Sequence, residues 1–302
     1  MSRPRPQPLQ KMKASETLRA PAKLNLTLEV LSRRPDGLHG LRSVMVPIDL
    51  ADTIRITRQS EFSFVCSDAA LQEQNLAVRA FDALGLQDRG YRIELHKRIP
   101  AGAGMGGGSS DAAAILLAAQ RGIFGTPPPL EYLPVARALG SDVPFFLVET
   151  AALVEATGER VTALGAVPGW HAVIVKPPIA ISTADAYARI DASPRSSRPR
   201  NESASVEMAE ALQRADFEAA QALLQNDFHD VLADEPPIRA AIQMLREAGA
   251  ARPMLTGSGS CVFALCPQAQ NAAELAARLP ARDGYAVFTA GFWNGEAWRT
   301  AA

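Results

Sequence analysis

Residues 100–110 carry five glycines (Gly102, Gly104, Gly106, Gly107 and Gly108), then Ser109 and Ser110, and run on into the apolar stretch AAAILLAA. Glycines let a backbone approach an anion closely and take conformations closed to residues with a Cβ. A helix starting at the serines aims the unpaired N–H groups of its first turn, and the positive end of its dipole, at one spot. That is an anion site, and a polyphosphate suits it. No Gly-Lys-Ser/Thr closes the loop, so it is not a Walker A loop. The glycines are too many, and the approach through Lys97-Arg98-Ile99-Pro100 is wrong, for a dinucleotide fingerprint. A bare glycine run reads as a flexible surface loop, but the buried-type helix directly behind this one favours phosphate binding.

A second small-residue turn, Thr256-Gly257-Ser258-Gly259-Ser260, reads as a bulge or corner, or as a second backbone surface near a ligand. Two charged residues stand near such turns. Lys23 lies on a strand's polar side, where a lone lysine is ordinarily solvated. Asp142, in GSDVP, reads as a helix cap. Neither decides anything alone. His39 and His229 lack metal-ligand spacing, and no cluster of His, Cys or carboxylates suggests zinc. No G-x-S-x-G nucleophile motif occurs.

The elements that must position these residues follow from periodicity. Residues 22–30, AKLNLTLEV, alternate strictly. Ala22, Leu24, Leu26, Leu28 and Val30 face one way, and Lys23, Asn25, Thr27 and Glu29 the other, which predicts a half-buried strand with a polar face. A turn at Pro35-Asp36-Gly37 and an apolar run to Leu50 follow. Short strands are expected at 53–57, 62–66 and 91–96, and a helix at 75–84 stopped by Gly85. Further helices are expected behind the glycine loop and at 129–139, 206–213, 217–232, 237–248 and 272–279. Strands are expected at 151–155, 171–176, around the second turn, and at 285–289. The segment 191–205, rich in Ser, Pro and Arg, reads as a linker or mobile loop. Strands and helices mix without a regular βαβ rhythm, which predicts an α+β fold.

With 302 residues, two domains are expected. The balance of 31 Lys+Arg against 32 Asp+Glu predicts no affinity for nucleic acid. No run of about 20 apolar residues predicts a membrane span. Three cysteines (Cys66, Cys261, Cys266) argue against a disulfide framework and fit a reducing compartment, the cytoplasm. Residues 1–14 are basic and proline-rich without an apolar core, and read as a disordered tail. Only five lysines occur (Lys11, Lys13, Lys23, Lys97, Lys176). In an arginine-rich chain, a retained lysine hints at a need for a compact ammonium.

Three motifs in order, APAKLNLTLEV at 20–30, PAGAGMGGGSSDAAA at 100–114 and MLTGSGSCVFAL at 254–265, resemble those of the GHMP kinase superfamily, which includes galactokinase, homoserine, mevalonate and phosphomevalonate kinases. Arg34-Pro35-Asp36-Gly37-Leu38-His39, the triple glycine and LGSDVPFF at 139–146 are similar to the branch that phosphorylates a cytidyl-diphosphate sugar alcohol in non-mevalonate isoprenoid synthesis. The resemblance runs from about Leu18 to Cys266. It implies a bacterial source and a two-domain fold: an N-terminal ATP-binding domain like domain 2 of ribosomal protein S5, expected over 15–165, and a C-terminal α/β domain over 166–302. ATP and substrate are then expected to meet between the domains.

The resemblance also implies roles. Lys23 and Asp142 correspond to the catalytic pair. Pro100, Ala101, Gly102, Ala103, Gly104, Met105, Gly106, Gly107, Gly108, Ser109 and Ser110 correspond to the ATP phosphate loop, with Asn75, Leu76 and Lys97 around the nucleotide. Asn25, Asp36, Leu38, His39, Tyr187, Gly257, Ser258 and Gly259 are expected on the substrate side, with His39 helping to hold the cytosine. Mg²⁺ is expected to accompany ATP, with Ser109 or Ser110 as ligand. The chain departs from the branch at Leu38, where a tyrosine usually forms one wall of an aromatic sandwich on the base. Tyr187 matches the other wall. Losing one aromatic contact is worth about 1 kcal/mol.

Competing readings are a kinase for another small alcohol, a non-catalytic regulatory protein on the same fold, and a dinucleotide oxidoreductase. The Arg34–His39 segment disfavours the first, the complete catalytic set the second, and the missing strand-glycine-helix opening the third. The expected assembly is a monomer or homodimer.

Overall fold

The computed structural model describes residues 15–35, 37–125, 130–193 and 203–293. The expected tail 1–14, Asp36 and most of the serine-rich segment expected as a linker (194–202) lie outside the described residues.

The chain opens with β1 (Ser15–Asn25) and β2 (Thr27–Arg33), both antiparallel to the long β3 (His39–Arg58). Where the sequence suggests an apolar run to Leu50 and then a short strand at 53–57, β3 is one strand of 20 residues. The irregularity lies opposite Pro21: Pro21 pairs with Ala51 but Ala22 with Ile48, so β3 carries extra residues beside a proline that has no N–H to give. Next come β4 (Ser63–Cys66), α1 (Leu76–Ala83), β5 (Tyr91–His96), α2 (Gly107–Gln120), α3 (Tyr132–Leu139) and α4 (Val143–Phe146). The hairpin β6 (Ala151–Ala156) and β7 (Arg160–Gly165) adds to β3.

The second half runs β8 (His171–Lys176), α5 (Thr183–Ala192), α6 (Ala204–Gln213), α7 (Phe217–Leu223), β9 (Gln225–Asn226), α8 (Asp227–Leu232), α9 (Pro236–Glu247), β10 (Met254–Leu255), β11 (Val262–Cys266), α10 (Ala269–Ala277) and β12 (Ala286–Gly291). The described residues form two sheets. One has eight strands (β1–β7 and β9), and the other is antiparallel in the order β10-β11-β8-β12. One apolar core joins them, with Leu24, Leu26, Val46 and Ile48 from the first sheet against Ile174 and Phe263 from the second. Mixed sheets and helices in this arrangement are the expected α+β architecture.

Two expectations need correction. The helix expected over 217–232 is two helices. Asn226 breaks it: its Oδ1 accepts from Phe228 N at 2.9 Å to cap α8, its Nδ2 donates to Leu255 O and Gly257 O, and β9 pairs parallel with β2. The polar face of 22–30 is not solvated either: Lys23, Asn25, Thr27 and Glu29 are all buried. The start of α6 covers one end, where Glu29 Oε1 accepts from Ser205 N at 3.1 Å and Ser205 Oγ at 2.6 Å. The 256–259 turn covers the other, through Thr256 Oγ1 on Asn25 N. The strand's alternation is as expected, but its polar side faces the interior of the molecule.

Candidate active site

The glycine loop needs its glycines. Gly102, Gly104 and Gly106 have φ of 61°, 75° and 71°, in the left-handed region. A Cβ on Gly104 would fall 2.2 Å from Thr256 O, and one on Gly257 would fall 2.6 Å from Gly104 O. The two small-residue turns therefore touch backbone to backbone. Ser110 N donates to Gly106 O at 2.9 Å and closes the first turn of α2. Gly107, Gly108 and Ser109, whose N–H groups precede that bond in the helix, line the cleft. Behind them, every residue of α2 from Ser110 to Ala119 is buried, which fixes the helix that supplies the dipole.

Lys23 is 2% exposed. Its N–H donates to Met105 O at 3.0 Å, binding β1 to the glycine loop. Its Nζ donates to Asn25 Oδ1 at 2.5 Å and lies 3.8 Å from Asp142 Oδ2. Burial pushes the Lys23 pKa down, and Asp142 pulls part of it back. Asp142 occupies the N-cap of α4, yet its side chain makes no capping bond. The carboxylate faces Lys23 instead, so the helix-cap reading fails. Asn25 Oδ1 also accepts from Gly257 N at 2.8 Å, and its Nδ2 donates to Ser43 Oγ at 2.8 Å. Asn25, expected on the substrate side, thus holds Lys23 and the second turn.

Lys97 Nζ donates to Asp52 Oδ2 at 2.5 Å and to Asp111 Oδ2 at 2.7 Å. Burial lowers its pKa, but Asp111 and Asp52 outweigh that and raise it. Burial pushes Asp111 up to about 7, against the pull of Lys97 and helped by Asp52. Neither carboxylate is singled out by the sequence, although Asp111 sits inside the GSSDAAA motif. Asn75 caps α1 through Oδ1 on Ala77 N at 2.9 Å, and its Nδ2 donates to Leu71 O, so the cap occupies its side chain.

One cleft of about 420 Å³, partly open to solvent, brings most of these groups together. Lys23, Asn25, Asn75, Leu76, Lys97, residues 100–109, Asp142, Tyr187, Gly257, Ser258 and Gly259 line it, with Asp111, Ser141 and Thr183 that the sequence did not single out. Leu38 and His39 do not line it, and Asp36 lies outside the described residues. The His39 ring stacks on Tyr187 with centroids 5.2 Å apart, and His39 Nε2 is 2.9 Å from Asp191 Oδ1. A base held between two rings needs them about 7 Å apart, twice a van der Waals contact. His39 and Tyr187 therefore do not hold a base between them, and Phe228 packs on Tyr187 at right angles with centroids 5.0 Å apart.

The oxygen donors suit a hard cation held chiefly by phosphates. Among the described residues no group of three or more His, Cys, Asp or Glu could hold a metal. Mg²⁺ typically takes one or two protein oxygens and substrate phosphates, so this set fits it. Ser109 lines the cleft, and its Oγ would lie 3.6 Å from a Cβ on Gly140. Ser110 does not fit. It is fully buried outside the cleft, its Oγ without a hydrogen-bond partner, because its position on α2 turns inward.

A helix N-terminus behind a glycine loop, with an ammonium and a carboxylate at its mouth, defines a phosphoryl-transfer site. The chain belongs to the GHMP kinase family: residues 75–150 match the GHMP kinases N terminal domain, and 208–285 the GHMP kinases C terminal domain. Among curated relatives, 4-diphosphocytidyl-2-C-methyl-D-erythritol kinase of Geobacter sulfurreducens is 36% identical over 279 residues, 90% of this chain and 97% of that one. The protein of the same name from Solibacter usitatus is 40% identical over 261 residues, 82% of this chain and 80% of that one. A crystal structure of 4-(cytidine 5'-diphospho)-2C-methyl-D-erythritol kinase, 34% identical, superposes with a TM-score of 0.75 over 91% of this chain and 99% of that one. Homoserine kinase from Cytophaga hutchinsonii, 18% identical, shares the fold at a TM-score of 0.63, over 96% of this chain and 99% of that one.

Proposed function

We propose that this chain transfers the γ-phosphate of ATP to the 2-hydroxyl of 4-diphosphocytidyl-2-C-methyl-D-erythritol, giving the 2-phosphate and ADP, in non-mevalonate isoprenoid precursor synthesis. The observation that carries the chemistry is the buried Lys23 ammonium 3.8 Å from Asp142, at the mouth of the glycine loop. The substrate rests on the names of relatives 36–40% identical over most of the chain.

Phosphoryl transfer asks a protein to position the partners and neutralise charge. The N–H groups of Gly107, Gly108 and Ser109 hold the terminal phosphates. Asp142 accepts the proton of the attacking hydroxyl as its oxygen bonds the γ-phosphorus and the bond to the β-phosphate oxygen breaks, releasing ADP. Lys23 sits between carboxylate and phosphate and favours the developing alkoxide and the transferring charge. Mg²⁺, with Ser109 as its protein ligand, supplies charge neutralisation on the phosphates when bound. Gly257, Ser258 and Gly259 face the acceptor, and Tyr187, which lines the cleft, meets the cytosine. In this reading 15–165 is the ATP-binding domain and 166–302 the C-terminal domain of a cytoplasmic bacterial enzyme, acting as a monomer or homodimer.

The test is ADP release with Mg-ATP and this acceptor, set beside mevalonate, homoserine and galactose. Turnover on the cytidyl compound alone is expected. Turnover on another alcohol would replace the substrate and keep the mechanism, and ATP binding without turnover on any of the four would favour a regulatory protein.

A further inference from the structure

Two buried carboxylates beneath the phosphate loop have no part in the reaction as proposed. Asp52, on β3, is fully buried, and Asp111, on α2, is 1% exposed. Lys97 lies between them, its Nζ bonded to Asp52 Oδ2 at 2.5 Å and Asp111 Oδ2 at 2.7 Å. Asp52 Oδ1 further accepts the backbone N–H groups of Arg98 at 2.5 Å and Ile99 at 2.9 Å. The chain enters the glycine loop through Arg98 and Ile99 and leaves it into α2, one turn before Asp111. Lys97 thus ties the loop's entrance to its exit, and Asp52 ties both to the central strand.

The lysine is committed to this bridge. An ammonium has three donors, and two are taken by carboxylates. It also packs against the end of the loop, because a Cβ on Gly107 would lie 3.4 Å from its Nζ. Between these anchors the loop is held at Met105 O by Lys23 N–H and at Ala103 O by Cys261 N–H, while Gly102, Gly104 and Gly106 leave its backbone freer than other residues would. Something outside the loop has to fix the spacing of its two ends if its N–H groups are to be aimed before a phosphate arrives.

We propose that Asp52 and Asp111 are positioning residues for nucleotide binding: through Lys97 they hold both ends of the phosphate loop in place. The proposal rests on the kinase reading, but it concerns ATP alone and is independent of which alcohol is phosphorylated. It makes a prediction of sign. By charge alone, removing a carboxylate beside a polyphosphate should tighten ATP binding. A clamp predicts the reverse, because its loss lets the amides drift.

Calorimetric titration of the full chain with Mg-ATP, alongside steady-state kinetics, separates the two. In Asp111→Asn and Asp52→Asn, ATP is expected to bind about 10-fold more weakly, the size of a lost hydrogen bond to a charged group, with the acceptor KM unchanged. Unchanged or tighter ATP binding would overturn the clamp, as would a fall in melting temperature without a change in ATP affinity. Should Asp111→Asn not fold, Asp52→Asn, which keeps an oxygen for the N–H groups of Arg98 and Ile99, gives the same reading. An unsubstituted chain that binds no ATP would instead overturn the kinase reading itself.

Discussion

The side-chain oxygen of Asn25 lies 2.5 Å from Lys23 Nζ and also accepts the backbone N–H of Gly257 at 2.8 Å. One amide therefore aims the Lys23 ammonium and fixes the second glycine turn against it. Asn25→Ala frees the ammonium to swing while leaving the phosphate loop intact. Misplacing a reacting group by about 1 Å can cost on the order of 100-fold. Turnover is expected to fall by that order with ATP KM little changed, as measured by steady-state kinetics. A rise in ATP KM with turnover preserved would place Asn25 in nucleotide binding instead.

Asp142 caps nothing and faces Lys23, so its carboxylate is available to the acceptor hydroxyl. Asp142→Asn keeps shape and removes the proton acceptor. Turnover is expected to drop at least ~100-fold, the usual size of a general-base effect, with nucleotide affinity retained. Near-normal turnover would sink the assignment.

Burial sets the pKa of Lys23 below the ordinary 10.5, with Asp142 offsetting part of the shift. The working form is the ammonium, which is lost as pH rises through the lowered value. The kcat profile is therefore expected to fall on its alkaline side at a pH below that of an ordinary lysine. In Lys23→Arg the wide guanidinium fits the point-charge site poorly, so turnover drops, but it does not deprotonate. Its residual activity should lack that alkaline limb. An identical limb in both enzymes would assign the titration to another group.

How far the site was legible in the sequence depended on whether the needed contact was local. The strand Tyr91–His96, the cap at Asn75 and the helix behind the glycine loop lie where periodicity and capping chemistry place them. Lys23 and Lys97 are bonded in the cleft, and Lys176 Nζ donates to Pro177 O at 2.6 Å and Ile179 O at 2.7 Å. Alternation in 22–30 revealed a polar side, but not that Ser205 and Gly257 would cover it. A period of two names a face and says nothing of what packs on it from about two hundred residues away. Asp52 was unreadable for the same reason. Nothing beside it in sequence distinguishes an acid that caps the loop's entrance from one in water.

Gly104 and Gly85 both hold positive φ, 75° and 66°, but in different surroundings. A Cβ at Gly85 meets nothing within 4 Å, whereas at Gly104 it would fall 2.2 Å from Thr256 O. Gly85→Ala should cost about 1–2 kcal/mol of backbone strain and leave kinetics alone. Gly104→Ala has to push the two turns apart, and with them the phosphate loop and Lys23. Loss of turnover in Gly104→Ala but not in Gly85→Ala is expected, with melting temperature lowered in both. Equal kinetics in the pair would mean that the contact between the turns has no bearing on the reaction.

Leu38 is 56% exposed, at the position where the resemblance to this branch implies a tyrosine against the cytosine. His39 already stacks on Tyr187, so these two rings do not sandwich a base between them. Leu38→Tyr adds a ring in open space, without disturbing the core. A second aromatic contact is worth about 1 kcal/mol, which corresponds to roughly a 5-fold change in affinity. The KM for the cytidyl acceptor is expected to fall by about that factor, with ATP KM and kcat unchanged. If the acceptor KM does not move, position 38 does not reach the base.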